Sequence, residues 1–283
     1  MMAKSHGPSK EVPQNISSRR RRLTAMILIL DVLALVLIGL SSGYTGPEDT
    51  LILVGLGDIY GLLAAGFLYL TLLISPLALT FPRLPAKQTW FLARRGFGLS
   101  SLLFSLPHAL VSFFGPLAGF GGVSFLDPYT GWALLLGVFA LVILTVLGAT
   151  AWDGAVRRLG QHRWKMLHRW VYLCGVLVLV HILLVGTHYG DPHSPWMFWS
   201  LAALGFLAFL QALRFDAWWS RKYPQDRRYG PATLLAVVLI TSAWFWTTAR
   251  LETQPATGGV RWIIGHHGMI LPAPAPSAGE AKP

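Results

Sequence analysis

The chain carries a single cysteine, Cys174, and it falls inside an apolar run. One thiol cannot form an internal disulfide, cannot supply the four thiolates of an iron–sulfur cluster, and cannot build the C-x-x-C-H motif that attaches heme covalently. Any heme must therefore be held non-covalently. Charge is also scarce. Only 12% of residues are Asp, Glu, Lys or Arg, about half the fraction usual in a soluble domain. No G-x-G-x-x-G follows a strand-like run, so no nucleotide-binding domain is expected. Acidic residues number 12 against 23 basic ones, for a net charge of +11. In a soluble protein that balance would suggest nucleic acid. Here the cations sit in short clusters between apolar runs, so membrane orientation and the anionic lipid of the bilayer account for them, and no nucleic-acid partner is expected.

What the chain has in quantity is apolar sequence. Seven segments, at 24–41, 59–80, 96–114, 131–151, 167–187, 197–214 and 232–249, are apolar enough to be read as spans. A span of about 20 residues crosses a hydrocarbon core of about 30 Å. The expected fold class is all-α, a polytopic membrane helix bundle. The cations alternate along it. Arg19 to Arg22 precede the first span. Arg83, Lys87, Arg94 and Arg95 lie in loop 81–95, Arg157, Arg158, Arg163 and Lys165 in loop 152–166, and Arg221, Lys222, Arg227 and Arg228 in loop 215–231. The intervening loops 42–58, 115–130 and 188–196 carry Glu48, Asp49, Asp58, Asp127 and Asp191 but no Lys or Arg. The positive-inside rule then places the N-terminus in the cytoplasm and the C-terminus outside. Residues 1–23 read as a cytoplasmic basic segment, and the Pro- and Ala-rich tail 251–283 as extracytoplasmic and disordered. The first apolar run, ending in Leu40-Ser41-Ser42-Gly43, also has the form of a signal peptide. Its length, and Asp31 within it, favour a retained anchor with a partner for the carboxyl in the bundle.

Ionisable side chains within spans are costly and rare. Three histidines qualify: His108 in the third span, and His168 and His181 in the fifth. Each alone reads equally well as a core histidine bonded to a neighbouring helix. Depth separates them. His108 lies thirteen residues past Arg95, and His181 fourteen past Leu167. At about 1.5 Å per residue, both stand about 20 Å from the inner edge. Two imidazoles at one depth on helices running the same way can grip a heme iron from both sides. The small residues Gly96, Gly98, Ser100, Ser101 and Ser105 would admit either a macrocycle or a neighbouring helix, and Pro107 can kink the third span beside His108. His168 lies thirteen residues before His181, about 20 Å away and roughly 140° around the helix, so the two cannot share one iron. At the inner boundary His168 could ligate a second heme, bind a propionate, or cap the interface. Its level on the third span holds Arg95, which suits a propionate better than an iron. His162 reads as solvated. His188, His193, His266 and His267 are candidate metal contacts on the outer side.

Arg157-Arg158-Leu159-Gly160, Trp164, Leu167-His168-Arg169, Tyr172 and His181 together resemble the ferric-reductase-like transmembrane domain family. Within it the resemblance is greatest to the heme-binding membrane subunits of the periplasmic methionine-sulfoxide reductase system. Arg94-Arg95-Gly96, Gly98-Leu99 and His108 match that family's third helix, and Gly61 through Ser75-Pro76-Leu77 its second. The likeness covers about residues 25–215. It implies a six-helix cytochrome b core over 24–215, followed by a cytoplasmic loop and a seventh span over 216–250.

The implied cofactor is heme b, one copy with a second left open, and the implied axial ligands are His108 and His181. His168 is the third family histidine. The implied donor is a cytoplasmic flavin reductase, which brings FMN or FAD, or else quinol. The implied acceptor is an extracytoplasmic oxidoreductase, a molybdopterin enzyme that reduces oxidised methionine. The chain is then a multi-pass protein of the bacterial inner membrane, an electron-transfer subunit rather than a self-contained enzyme. It departs from the family where Ile-Leu-Leu follows His181 and where Asp153 replaces a neutral polar residue. Two rival readings are a stand-alone transmembrane ferric or cupric reductase and a heme-free proton-coupled transporter. The second finds only Asp31 as a further acid within a span.

Overall fold

A computed structural model of the chain describes residues 14–43, 50–83, 85–124, 126, 128–185, 195–224, 230 and 232–241. The apolar runs become helices because, in lipid, only intrahelical bonds can satisfy the backbone of a single span. They are α1 (Gln14–Ser41), α2 (Thr50–Thr80), α3 (Lys87–Phe114), α5 (Pro128–Ala149), α8 (Trp170–Val185) and α9 (Pro195–Lys222). Three short helices, α4 (Gly119–Val123), α6 (Asp153–Leu159) and α7 (Gln161–His168), fill connections. With α7 running into α8, six stretches are long and apolar enough to cross a membrane. A shorter apolar helix, α10 (Ala232–Thr241), follows. Among the described residues there is no strand.

Several boundaries differ from the sequence expectation. The loop expected over 42–58 gives way at Thr50, where α2 begins, so Asp58 stands inside a helix. The run Thr50 to Gly57 is apolar enough to continue the span, and one carboxylate near a helix end does not stop it. The basic loop expected over 81–95 is mostly the first two turns of α3, because Lys87, Arg94 and Arg95 are helix formers that can direct their charge out of the apolar zone. The loop 152–166 likewise folds as α6 and α7. The tail 251–283 and the end of the seventh span beyond Thr241 lie outside the described residues.

Packing pairs run in consistent directions. Gly61 meets His108, Ser101 bonds the Ala64 carbonyl and Arg94 bonds Ser75, so α2 and α3 form an antiparallel hairpin, the most extensive pairing in the bundle. Gly137 meets His181 and Cys174 reaches the Ala140 carbonyl, which sets α5 antiparallel to α8. Gly96 against Ile27 and Ser100 against Asp31 set α1 parallel to α3. One core joins Leu68, Leu72, Ala140, Leu144, Val171 and Cys174 across α2, α5 and α8. A second joins Leu56, Tyr60, Ala64 and Phe104 across α2 and α3.

Apolar burial drives helices together weakly in lipid, so close packing and interhelical hydrogen bonds of about 0.6 kcal/mol each matter more. Pro76 lacks the N–H that would bond the Leu72 carbonyl. Gln211 of α9 donates to that carbonyl at 3.4 Å, and Arg94 donates to the neighbouring Thr71 carbonyl at 3.0 Å. Asp216 of α9 accepts from the Ala232 and Thr233 backbone N–H groups and so caps α10. Asp31 finds its partner in the Ser100 hydroxyl.

The basic end is tied by one carboxylate. Asp153 Oδ1 accepts from Arg20 at 2.5 Å and Arg95 at 2.9 Å, and Oδ2 from Arg21 at 3.4 Å. Burial pushes the Asp153 carboxyl up, but the Arg95 hydrogen bond and the charges of Arg20 and Arg95 outweigh it and hold the group below its ordinary 3.8. A depressed carboxylate contributes its full stability above the ordinary value and loses it as pH falls through the depressed one. Asp153→Ala is expected to destabilise the detergent-solubilised protein at neutral pH by about 1–3 kcal/mol. Thermal unfolding of both proteins checks this: the gap should narrow only as pH falls below that ordinary value, and equal midpoints at neutral pH would remove Asp153 from the account.

Candidate functional site

Two histidines from different helices meet inside the bundle. His108 lies on α3 one residue past Pro107, and His181 lies near the end of α8. Their ring centres are 6.3 Å apart and the ring planes cross at 82°. Both are part-buried.

Each ring is held in the same way. His108 Nδ1 lies 2.8 Å from the Gly57 carbonyl of α2, and His181 Nδ1 lies 2.8 Å from the Ala133 carbonyl of α5. A carbonyl only accepts, so each Nδ1 carries the proton and each Nε2 is left with a lone pair. The residue four positions on is glycine in both cases. A Cβ on Gly61 would stand 2.9 Å from His108 Nδ1, and a Cβ on Gly137 2.9 Å from His181 Cε1. Those distances are below normal contact, so the absent side chains are what let the rings reach the helix backbone. A histidine that donates its other ring N–H to a backbone carbonyl is oriented and made more basic as a ligand.

The spacing suits a shared metal. A first-row metal–imidazole bond is about 2.0–2.1 Å and the nitrogen lies about 1.1 Å from the ring centre, so a metal between two imidazoles sets their centres about 6.3 Å apart. Among the described residues no cluster of three or more His, Cys, Asp or Glu side chains forms. The pair could hold a metal whose remaining positions a macrocycle fills.

His168 sits apart. The Thr150 hydroxyl donates to the Val146 carbonyl at 2.8 Å, so at 3.2 Å it accepts from His168 Nε2. The ring packs on Trp164 at 4.1 Å, and Trp164 Nε1 donates to the Thr150 carbonyl at 2.9 Å. His168 and Trp164 thereby close the end of α5 onto α7. Arg95, weighed from sequence as a propionate partner, is bonded to Asp153. Four of the five small residues of α3 meet neighbouring helices, Gly96 at Ile27, Gly98 at Thr71, Ser100 at Asp31 and Ser101 at the Ala64 carbonyl, while Ser105 bonds the Leu102 carbonyl of its own helix. His162 is exposed. His188, His193, His266 and His267 lie outside the described residues.

Sequence reasoning missed Gly57, Ala133 and Gly137, and gave Gly61 no role beside a histidine. A signal was there, since Gly57 and Gly61, like Ala133 and Gly137, are small residues four apart in apolar runs.

Comparison with known proteins matches the central part of the chain. Residues 60–180 match the family model described as ferric reductase like transmembrane component. The chain is 32% identical over 160 residues to the protein-methionine-sulfoxide reductase heme-binding subunit MsrQ of Bordetella parapertussis, covering 55% of this chain and 70% of that protein. It is 34% identical to the MsrQ subunit of Enterobacter sp., covering 56% of this chain and 76% of the relative. For the MsrQ subunit of Rhodospirillum rubrum the identity is 35%, over 51% of this chain and 67% of the relative. No solved structure gives a significant match.

The hydrogen bonds make a prediction of their own. In protein labelled with 15N-histidine, His108 and His181 should both show the Nδ1–H tautomer, and His168 the Nε2–H tautomer. An Nε2–H signal from either member of the pair would contradict the carbonyl contacts.

Proposed function

The chain belongs to the ferric-reductase-like family of MsrQ heme-binding subunits, and from that premise we propose that it is a membrane electron-transfer subunit in which His108 and His181 would hold one b-type heme through their Nε2 nitrogens. The observation that carries this reading is the pair itself: two imidazoles 6.3 Å apart, each with Nδ1 tied to a helix carbonyl. When bound, heme supplies one-electron iron chemistry.

The side chains of this protein do the remaining work. The Gly57 and Ala133 carbonyls hold both imidazoles in the tautomer that presents Nε2. Gly61 and Gly137 keep the rings against the backbone, which limits their rotation. Leu56, Tyr60, Ala64 and Phe104 pack into a buried core between α2 and α3, the two helices that carry Gly61 and His108. His168 has no ligand role in this reading, because its Nε2 is used on Thr150 and its ring is packed on Trp164. Nor does Arg95, which lies thirteen residues along α3 from His108 and is bonded to Asp153.

Electrons enter at the basic end, which the positive-inside rule assigns to the cytoplasm. The donor is a cytoplasmic flavin reductase, or quinol from the membrane, and basic side chains such as Arg158 and Lys165 suit an acidic flavoprotein. The acceptor is an extracytoplasmic protein-methionine-sulfoxide reductase of the kind for which the relatives are named. The sixth span ends with α9 at Lys222, and α10 follows it.

Oxidised and dithionite-reduced absorption spectra of the purified protein test the ligand assignment. Sharp reduced α and Soret bands are expected in the wild type and in His168→Ala, and should be lost in His108→Ala and in His181→Ala. Retention of both bands in either of the last two would remove that residue as a ligand. If both rings keep their near-perpendicular planes, the heme-loaded protein should give a highly anisotropic low-spin EPR signal. Gly61→Ala and Gly137→Ala should keep the heme but change that anisotropy and the midpoint potential. Reoxidation of the reduced protein by ferric chelate alone, at a rate matching its turnover with a methionine-sulfoxide reductase, would favour the stand-alone metal reductase instead.

A further inference from the structure

The basic end of the bundle contains a cavity that the histidine pair does not use. It measures about 420 Å³ and opens between α1, α3 and α6. Arg20, Arg21, Arg95 and Arg157 line it together with a single carboxylate, Asp153. Four guanidiniums less one carboxylate leave a formal surplus of three positive charges. Asp153 cannot absorb more of it, since both its oxygens already accept from arginine. Donors remain unused: Arg20 Nε and the Thr24 hydroxyl are buried atoms with no hydrogen-bond partner, and both residues line this cavity. A buried donor left unpaired loses its hydration without a replacement bond, so an oxygen-rich anion there would be favoured.

The walls change character with depth. Along α1 the lining passes from Arg20 and Arg21 to Thr24, Ala25 and then Leu28, one and two turns further into the bundle. On α3, Leu99 stands one turn beyond Arg95. A phosphate above and hydrocarbon below describe an amphiphile. A soluble phosphate ester would use the arginines and leave Leu28 and Leu99 uncovered. We propose that this cavity is a binding site for an anionic phospholipid, with its phosphate among the guanidiniums and an acyl chain along Ala25, Leu28 and Leu99. Guanidinium forks suit phosphate oxygens, and interfacial basic pockets between spans are a usual place for such headgroups. The bound lipid would add to the ties that α1 already makes with α3 through Ser100 and with α6 through Asp153.

Native mass spectrometry and thermal unfolding of the delipidated full chain, with phosphatidylglycerol, phosphatidylcholine or glycerol 3-phosphate added, test the proposal. Phosphatidylglycerol should be retained and should raise the unfolding midpoint, phosphatidylcholine much less, and glycerol 3-phosphate hardly at all. Arg21→Gln with Arg157→Gln leaves the Arg20–Asp153–Arg95 tie in place and should weaken the preference by roughly fivefold per arginine. Ala25→Trp keeps every charge but blocks the apolar floor, and should also lose the lipid. Equal retention of the two lipids, or an unchanged preference in both variants, would overturn the site. Stabilisation by glycerol 3-phosphate equal to that by phosphatidylglycerol would overturn the lipid and assign the arginines to a soluble phosphate.

Discussion

The contact on which the site depends is that of an imidazole edge with a bare stretch of helix backbone, made twice. His108 reaches the Gly57 carbonyl because Gly61 has no side chain, and His181 reaches the Ala133 carbonyl because Gly137 has none. Each contact needs two helices in one antiparallel register. For α2 and α3 that register is held by Ser101 on the Ala64 carbonyl and by Arg94 on Thr71 and Ser75. For α5 and α8 it is held by Cys174, fully buried against Ala140. The helix hairpins therefore fix which nitrogen of each ring is free and where it stands.

The remaining polar groups inside the bundle mark helix junctions. Pro76 removes one backbone donor from α2, and the carbonyl it frees becomes the acceptor for Gln211, so a break in one helix becomes the tie to another. Asp31 is bound to Ser100, which joins α1 to α3. Asp153 gathers Arg20, Arg21 and Arg95 at the basic end. That gathering anchors the first helix. It also concentrates more positive charge than one carboxylate can neutralise, which is the basis of the lipid site proposed above.

Much of the fold was legible because lipid imposes its own rules on sequence. A span must be long and apolar, and it must satisfy its own backbone, so length and hydropathy alone located the spans. The boundaries were less legible. Charge is expected outside the bilayer, yet Lys87 and Arg95 stand on a helix that extends past the apolar zone, and Asp58 stands inside the apolar helix α2. A helix can project from the membrane without changing sequence character, so hydropathy marks the membrane and not the helix end.

The sequence by itself determined the class, the alternation of basic and acidic connections, and the equal depth of His108 and His181, because each follows from composition or from the fixed rise of a helix. Rotation about the helix axis and the pairing of helices lay beyond it. Only the tertiary structure decided that those two rings meet, that Gly61 and Gly137 receive them, that Gly96, Gly98, Ser100 and Ser101 of α3 meet neighbouring helices, and that Arg95 faces Asp153. Contacts between side chains far apart in the chain depend on how whole helices pack, and no local pattern of residues encodes that.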